Sequence, residues 1–370
     1  MILVVGAGFA GAVIARQLAE NGYRVKVIDQ RNHLAGNCYT KRDHQTNIME
    51  HKYGPHIFHT NDIKIWQYVN QFTEMLPYTH RVKGTTGGRV YSLPINLHTI
   101  NQFFNTTMGP VAAKKFIASK NNMLPYSPVN FENKTKSLIG EELYEAFFQI
   151  YTEKQWGISA SLLDASLIKR LPLRFNYDDN YYSHRYQGIP KYGYTVLIES
   201  ILKHENIEIE LDRKFDRNLM GKYDHTFYSG SLDEYFNYSL GQLPYRTLKF
   251  ERFVGKDDFQ GCSVMNYCDA VKPYTRITEF KHLTPWEEHD ETIYIKEFSK
   301  PCEGDDIPYY PMIFSSDLCQ LKEYRALAEL EKNTSFIGRL GTYRYLDMDT
   351  TISESLNVVA KFLKINELEA

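Results

Sequence analysis

Three glycines and one aspartate near the start of the chain have the types and spacing to bind a dinucleotide. Gly6, Gly8 and Gly11 form a Gly-x-Gly-x-x-Gly turn directly after the apolar run Ile2-Leu3-Val4-Val5, and helical periodicity follows. In such a turn Gly6 permits the tight bend, Gly8 lets the backbone approach a pyrophosphate, and Gly11 allows close packing of helix on strand. The helix start adds N–H groups and a partial positive charge. Asp29 ends the next strand-like run, where a carboxylate accepts hydrogen bonds from an adenosine ribose, while Arg31 beside it leaves a 2′-phosphate admissible.

The segment Arg31-Asn32-His33-Leu34-Ala35-Gly36-Asn37 resembles the second fingerprint of FAD-binding Rossmann proteins of the glutathione reductase type. A late Gly338-Arg339-Leu340-Gly341 resembles the segment that closes over the flavin in the same class, so FAD is favoured over NAD. His51, His56 and His59 are close together, but no cysteine lies at ligand spacing and His-Ile-Phe-His lacks the i, i+4 geometry of the zinc helix motif. No metal is expected; a place at the flavin edge suits His56 or His59.

Composition narrows the partners. Lys plus Arg is 43 against 45 Asp plus Glu, with no long run of like charge, which argues against nucleic acid. No apolar run approaches the length of a transmembrane helix, and the first residues lack the basic start of a signal peptide, so a cytoplasmic protein is expected. The five cysteines, Cys38, Cys262, Cys268, Cys302 and Cys319, contain no Cys-x-x-Cys pair and predict reduced thiols. Tyrosine, at 28 residues, exceeds phenylalanine at 21, a bias that suits a polar organic ligand.

The elements that position these residues read as an interleaved fold. The first thirty residues predict a β-α-β unit. Residues 96–170 look mainly helical, with Leu138 to Ile150 as one helical stretch. A helix from Thr195 to His204 and a strand Ile207 to Leu211 return to α/β grammar. Alternating segments from Tyr245 to Phe298, such as Thr247 to Glu251 and Thr292 to Lys296, predict antiparallel strands. A strand Ser335-Phe336-Ile337 and a helix bearing Ile352, Leu356, Val359 and Leu363 end the chain. The expected fold is α/β: an FAD-binding Rossmann-like domain (1–75, 191–244 and 308–370), an inserted helical domain (96–170), and an antiparallel β-sheet domain (76–95, 171–190 and 245–307).

Across nearly its whole length the sequence resembles the bacterial UDP-galactopyranose mutases. The resemblance runs through Tyr53-Gly54-Pro55-His56-Ile57-Phe58-His59-Thr60, Ser92-Leu93-Pro94-Ile95-Asn96, Tyr151-Thr152-Glu153-Lys154-Gln155-Trp156-Gly157, Lys169-Arg170-Leu171-Pro172, Tyr177-Asp178-Asp179-Asn180-Tyr181, Pro273-Tyr274-Thr275-Arg276, Pro308-Tyr309-Tyr310-Pro311 and Gly338-Arg339-Leu340. It implies an isomerase that interconverts the pyranose and furanose forms of UDP-bound galactose, with reduced FAD attacking the anomeric carbon through N5 and UDP leaving and returning. It also implies a UDP-sugar substrate, a reductant such as NAD(P)H or a flavin reductase, and a homodimer as a possible assembly.

Carried over by matching position, Arg170 and Arg276 hold the diphosphate, with hydroxyls from Tyr181, Tyr310 and Tyr345. Tyr151 stacks on uracil with Trp156 nearby, Asn266 contacts the nucleotide, and His59 lies beside the flavin. The glycine loop with Phe9, Asp29, Asn37, His56, Ile57, Arg339, Asp347 and Met348 match cofactor-side positions. The segment Ser166 to Asn180, charged at Lys169, Arg170, Arg174, Asp178 and Asp179, is expected to form a solvent-suited lid.

Two positions depart from the family pattern. Ala35-Gly36 replaces Gly-Gly, and His80 stands where an asparagine contacts the sugar. The second departure predicts altered sugar selectivity, with UDP-N-acetylgalactosamine and dTDP-fucose as alternative substrates. An ordinary flavin oxidoreductase is the rival reading.

Overall fold

The structure, a computed structural model, describes residues 1–121, 130–165, 173–312 and 318–369. A five-stranded parallel sheet forms the first layer, in the order Ile207–Glu210, Val25–Ile28, Ile2–Val5, His225–Tyr228, Thr334–Phe336. The run Ile2–Val5 is apolar throughout because both of its faces are covered, as a parallel sheet requires. Ile2 and Val4 enter one core with Val13, Ile14 and Leu18 of the helix Phe9–Glu20, while Leu3 and Val5 enter another with Tyr228 and Tyr235. That helix lies close on its strand because Gly11 has no side chain: a Cβ there would sit 1.9 Å from the Gly6 carbonyl oxygen.

A seven-stranded sheet forms the second unit, in the order Tyr310–Pro311, Tyr245–Lys256, Glu291–Pro301, Arg276–Glu279, Val264–Tyr267, Val82–Thr86, Arg89–Leu93. Thr247 to Glu251 and Thr292 to Lys296 are inner parts of one long antiparallel pair. The expectation of an antiparallel sheet needs one correction: Val264–Tyr267 and Val82–Thr86 run parallel. These two strands come from distant parts of the chain, and parallel neighbours need such a long crossover where a hairpin would force the opposite sense. A third sheet, Phe58–Thr60, Tyr186–Pro190 and Met75–Pro77, ties the two larger units together.

The helical part includes Leu97–Phe104, Pro110–Asn121 and Phe131–Ile139. The single stretch expected from Leu138 to Ile150 is broken at Gly140, whose φ of +85° ends the helix. The chain then winds through Glu141–Tyr144, a π-helical turn Glu145–Gln149 and the helix Ile150–Trp156. The π turn rotates the helix just before Tyr151, a placement typical of functional sites. Among the described residues no helix is long and apolar enough to cross a membrane.

Candidate active site

A cleft of about 610 Å³ opens over the glycine turn at the carboxyl edge of the parallel sheet. Gly6, Gly8 and Phe9 line it together with Asp29, Asn37 and His56, and Arg339 and Met348 close the far side. Gly8 precedes the helix Phe9–Glu20 without a side-chain cap, so the first N–H groups remain for a ligand. Opposite it, the Cβ that Gly8 lacks would come within 3.8 Å of Gly36 Cα, and the two glycines make a narrow floor.

The Asp29 carboxylate is fixed by the backbone N–H groups of Ala7 at 2.7 Å and Arg31 at 2.9 Å. An ionised carboxylate has about four acceptor sites, so two of its bonds are still open to ribose hydroxyls. Arg31 donates to Asn37 Oδ1 at 2.8 Å and lies over the Tyr53 ring, while its Nη1 is buried without a partner among the described residues. Such an orphaned donor, with the uncapped helix and the glycine floor, fits a dinucleotide phosphate and ribose. Ala35 takes a φ of +71°, a strain of about 1–2 kcal/mol for a residue with a Cβ.

Three cofactor-side residues do not line the cleft. Gly11 packs beneath the turn, Ile57 sits in the apolar cluster with Ile48, Tyr78 and Phe280, and Asp347 precedes the helix Met348–Glu369 with its carbonyl bonded to Thr351. His56 Nδ1–H donates to Gly54 O, 2.8 Å away, and burial pushes its pKa down to about 4, so the ring is neutral.

Arg339 joins this cleft to a second cluster. Its guanidinium lies 4.7 Å from the Tyr345 ring and 5.6 Å from that of Tyr310, and those two rings stack at 5.6 Å. Arg276 stands within the cluster, donating to the Tyr151 hydroxyl at 3.0 Å. Asn266 faces Arg276 in register on the neighbouring strand, and its buried Oδ1 has no partner among the described residues. Burial raises the pKa values of Tyr151, Tyr182 and Tyr310, so these phenols remain hydrogen-bond donors at neutral pH.

His80 is 4% exposed, with Tyr181 edge-on at 5.5 Å and Tyr182 stacked at 5.8 Å. Burial first, then the charges of Arg276 and His59, push its pKa down to about 3. Its Nδ1 has no partner among the described residues. His59 stacks on Tyr182 at 3.8 Å and shares a 2.7 Å Nδ1 to Nδ1 hydrogen bond with His184.

Trp156 is not brought into the cluster by any ring or hydrogen-bond contact among the described residues. Five positions beyond Tyr151, it points about 140° away around the helix and packs on the helical core. Arg170 lies outside the described residues. Within the remainder of the expected lid, Arg174 is no solvated charge: it is 9% exposed and donates to Asp178 O, Asn180 O and Ser183 Oγ. Its fork gathers the carbonyls of a tight turn, which is why the chain buries it.

Sequence reasoning missed Glu297, His184 and Tyr182. Glu297 is 2% exposed, and its Oε1 lies 3.2 Å from Arg276 Nε. Burial raises its carboxyl pKa, and Arg276 works in the other direction. A signal was present: Glu297 falls in phase with the inward residues Ile293 and Ile295 of its strand.

Known proteins resemble this chain in sequence and fold. The UDP-galactopyranose mutase family matches residues 146–345, and an NAD(P)-binding Rossmann-like domain matches residues 4–72. A Klebsiella pneumoniae protein described as a probable UDP-galactopyranose mutase is 56% identical over 98% of this chain and 94% of its own length. The dTDP-fucopyranose mutase of Escherichia coli is 48% identical over 99% of both chains. A crystal structure of reduced UDP-galactopyranose mutase has the same fold, with a TM-score of 0.77 at 15% identity, covering 98% of this chain and 94% of that one. With a dinucleotide cleft opening onto a basic, phenol-rich cluster and full-length identity above one half, the chain belongs to the UDP-galactopyranose mutase family.

Proposed function

We propose that the chain interconverts UDP-galactopyranose and UDP-galactofuranose with FAD in the cleft. The observation that carries this reading is the guanidinium of Arg276, about three-quarters buried between Tyr151 and Glu297, next to a cleft fitted for a dinucleotide. Reduced flavin, when bound, supplies a nucleophilic nitrogen that displaces UDP from the sugar. The chain's own groups serve the leaving group. Arg276 holds a charge where the diphosphate gains one, and the phenols of Tyr181, Tyr310 and Tyr345 add donors that need no reorganisation. Arg170 is proposed as the second diphosphate arginine. Tyr151 offers its ring to uracil and Asn266 its free acceptor to the nucleotide. His80, neutral and pinned between phenols, meets the sugar, and His59 lies at the flavin side. The three-part division of the chain and a reductant partner such as NAD(P)H belong to the same reading.

The experiment is a product assay with the dithionite-reduced enzyme across UDP-galactose, UDP-N-acetylgalactosamine and dTDP-fucose. Isomerisation of UDP-galactose without stoichiometric consumption of reductant is the expected result. Net oxidation of the sugar would instead make the protein an oxidoreductase. Preference for dTDP-fucose is the second outcome to weigh, since the Escherichia coli relative at 48% identity carries that name.

A further inference from the structure

The side-chain ammonium of Lys154 sits inside a ring of backbone carbonyls. Nζ lies 2.6 Å from Tyr267 O, 2.9 Å from Asp269 O, 3.1 Å from Lys272 O and 3.2 Å from Tyr274 O. All four belong to the end of the strand Val264–Tyr267 and the loop that leads into the strand Arg276–Glu279. That loop therefore winds around a single cation. The two residues it separates are Asn266 and Arg276, paired in register across the hairpin.

Lys154 projects from a different element, the helix Ile150–Trp156. Tyr151 stands three residues earlier, so both side chains share a helix face. The Tyr151 hydroxyl meets Arg276 Nη2 at 3.0 Å. One lysine thus joins the helix that carries Tyr151 to the hairpin that carries Arg276 and Asn266. Four converging carbonyls repel one another without a central positive charge. A compact ammonium reaches all four with three rotatable protons, one of them shared between two carbonyls, where a planar guanidinium cannot.

We propose that Lys154 is a positioning residue for the sugar nucleotide: it sets the separation between Tyr151 and the pair Arg276 and Asn266 by acting as the cation of the loop 268–275. This rests on the reading of those three residues as nucleotide contacts. Groups on two separate elements must grip one ligand, and a misplacement of about 1 Å is enough to cost on the order of a hundredfold.

The test uses cofactor-loaded protein, with UDP as the probe. Lys154→Met should keep its cofactor, because the glycine cleft is untouched, while the Kd for UDP and the KM for the sugar nucleotide rise about tenfold or more, the scale of lost charge-assisted hydrogen bonds. Lys154→Arg should not restore binding. In Lys154→Ala, propylammonium supplies the lost carbons and nitrogen, and UDP affinity should return saturably with it but not with sodium chloride at equal ionic strength. If Lys154→Met cannot be obtained folded, Lys154→Ala prepared in propylammonium and then dialysed replaces it; loss of UDP affinity with cofactor retained is expected. Parent-like UDP binding in Lys154→Met, or parallel loss of cofactor and UDP in dialysed Lys154→Ala, overturns the proposal. Failure of the parent protein to bind UDP would overturn the reading of the site instead.

Discussion

Arg276 and Glu297 face each other in direct register across two antiparallel strands, with Arg276 Nε 3.2 Å from Glu297 Oε1. Neither of those two atoms has an aligned hydrogen bond among the described residues. The pair is therefore held by charge at short range, and Arg276 keeps donor capacity for an incoming anion. Glu297→Gln should lower stability by about 1–3 kcal/mol, because it removes the counter-charge of a guanidinium that is about three-quarters buried. A bound diphosphate replaces the lost charge, so UDP should raise the unfolding midpoint of Glu297→Gln more than that of the parent. Urea unfolding with and without UDP checks both; equal UDP shifts in the two proteins would separate Arg276 from the diphosphate.

Gly8 and Gly11 should fail in different ways. At Gly8, with φ −84°, an alanine Cβ meets only ordinary contacts, so Gly8→Ala should fold with near-parent stability while the methyl fills the floor of the cleft. Flavin content should then fall tenfold or more at fixed free cofactor, on the order expected for blocking close backbone approach. Gly11→Ala puts a Cβ 1.9 Å from Gly6 O and should prevent soluble folding. Thermal unfolding of the apoproteins and flavin absorbance tell the two apart.

Acid should weaken the fold through His51 and His80, which are 1% and 4% exposed. Burial depresses both to about 3. An unfolded histidine takes its proton near pH 6.5, so below about 6.5 the unfolded chain binds protons that the folded chain refuses. Stability is thus complete above about pH 6.5 and falls towards pH 3, by about 1.4 kcal/mol per histidine per pH unit. His80→Asn should remove one proton from that slope. Urea midpoints at about pH 7.5 and about pH 5.5 measure it; an unchanged slope would mean that His80 is already charged in the folded state.

His80 also bears on substrate choice. A neutral imidazole fixed by Tyr181 and Tyr182 is bulkier than a carboxamide and offers a different donor and acceptor pattern. His80→Asn should change the ratio of kcat/KM between UDP-galactose and its 2-acetamido or 6-deoxy relatives, by about ten- to two-hundredfold if one small group is sensed. A uniform change across all sugars would assign His80 to packing alone.

The nucleotide end of the site was legible because its signal is local. Gly6, Gly8, Gly11 and Asp29 fall within one β-α-β unit, and their spacing alone carries the chemistry. The second cluster is assembled from strands and helices far apart in the chain, so Arg276, Tyr151 and Asn266 were reached only through resemblance. Glu297 was readable as an acid in an inward phase, yet an alternating strand gives no sign of which neighbour it meets. Lys154 was invisible for a deeper reason: its partners are backbone carbonyls, which every residue possesses. The parallel pairing in the second sheet was hidden because strand periodicity is the same in either sense.

The first strand, Ile2–Val5, finds Val25–Ile28 at once, but its other neighbour is His225–Tyr228, and that strand's outer partner is Thr334–Phe336. On a ribosome adding about 5–20 residues per second, the glycine turn waits tens of seconds for the strands that complete its sheet. Arg339, which closes the cleft, emerges later still. The cleft begun at Gly6 is thus finished only when Arg339 has emerged. A product that stops before Thr334 is left with an open sheet edge at His225–Tyr228 for the cell's quality control to recognise.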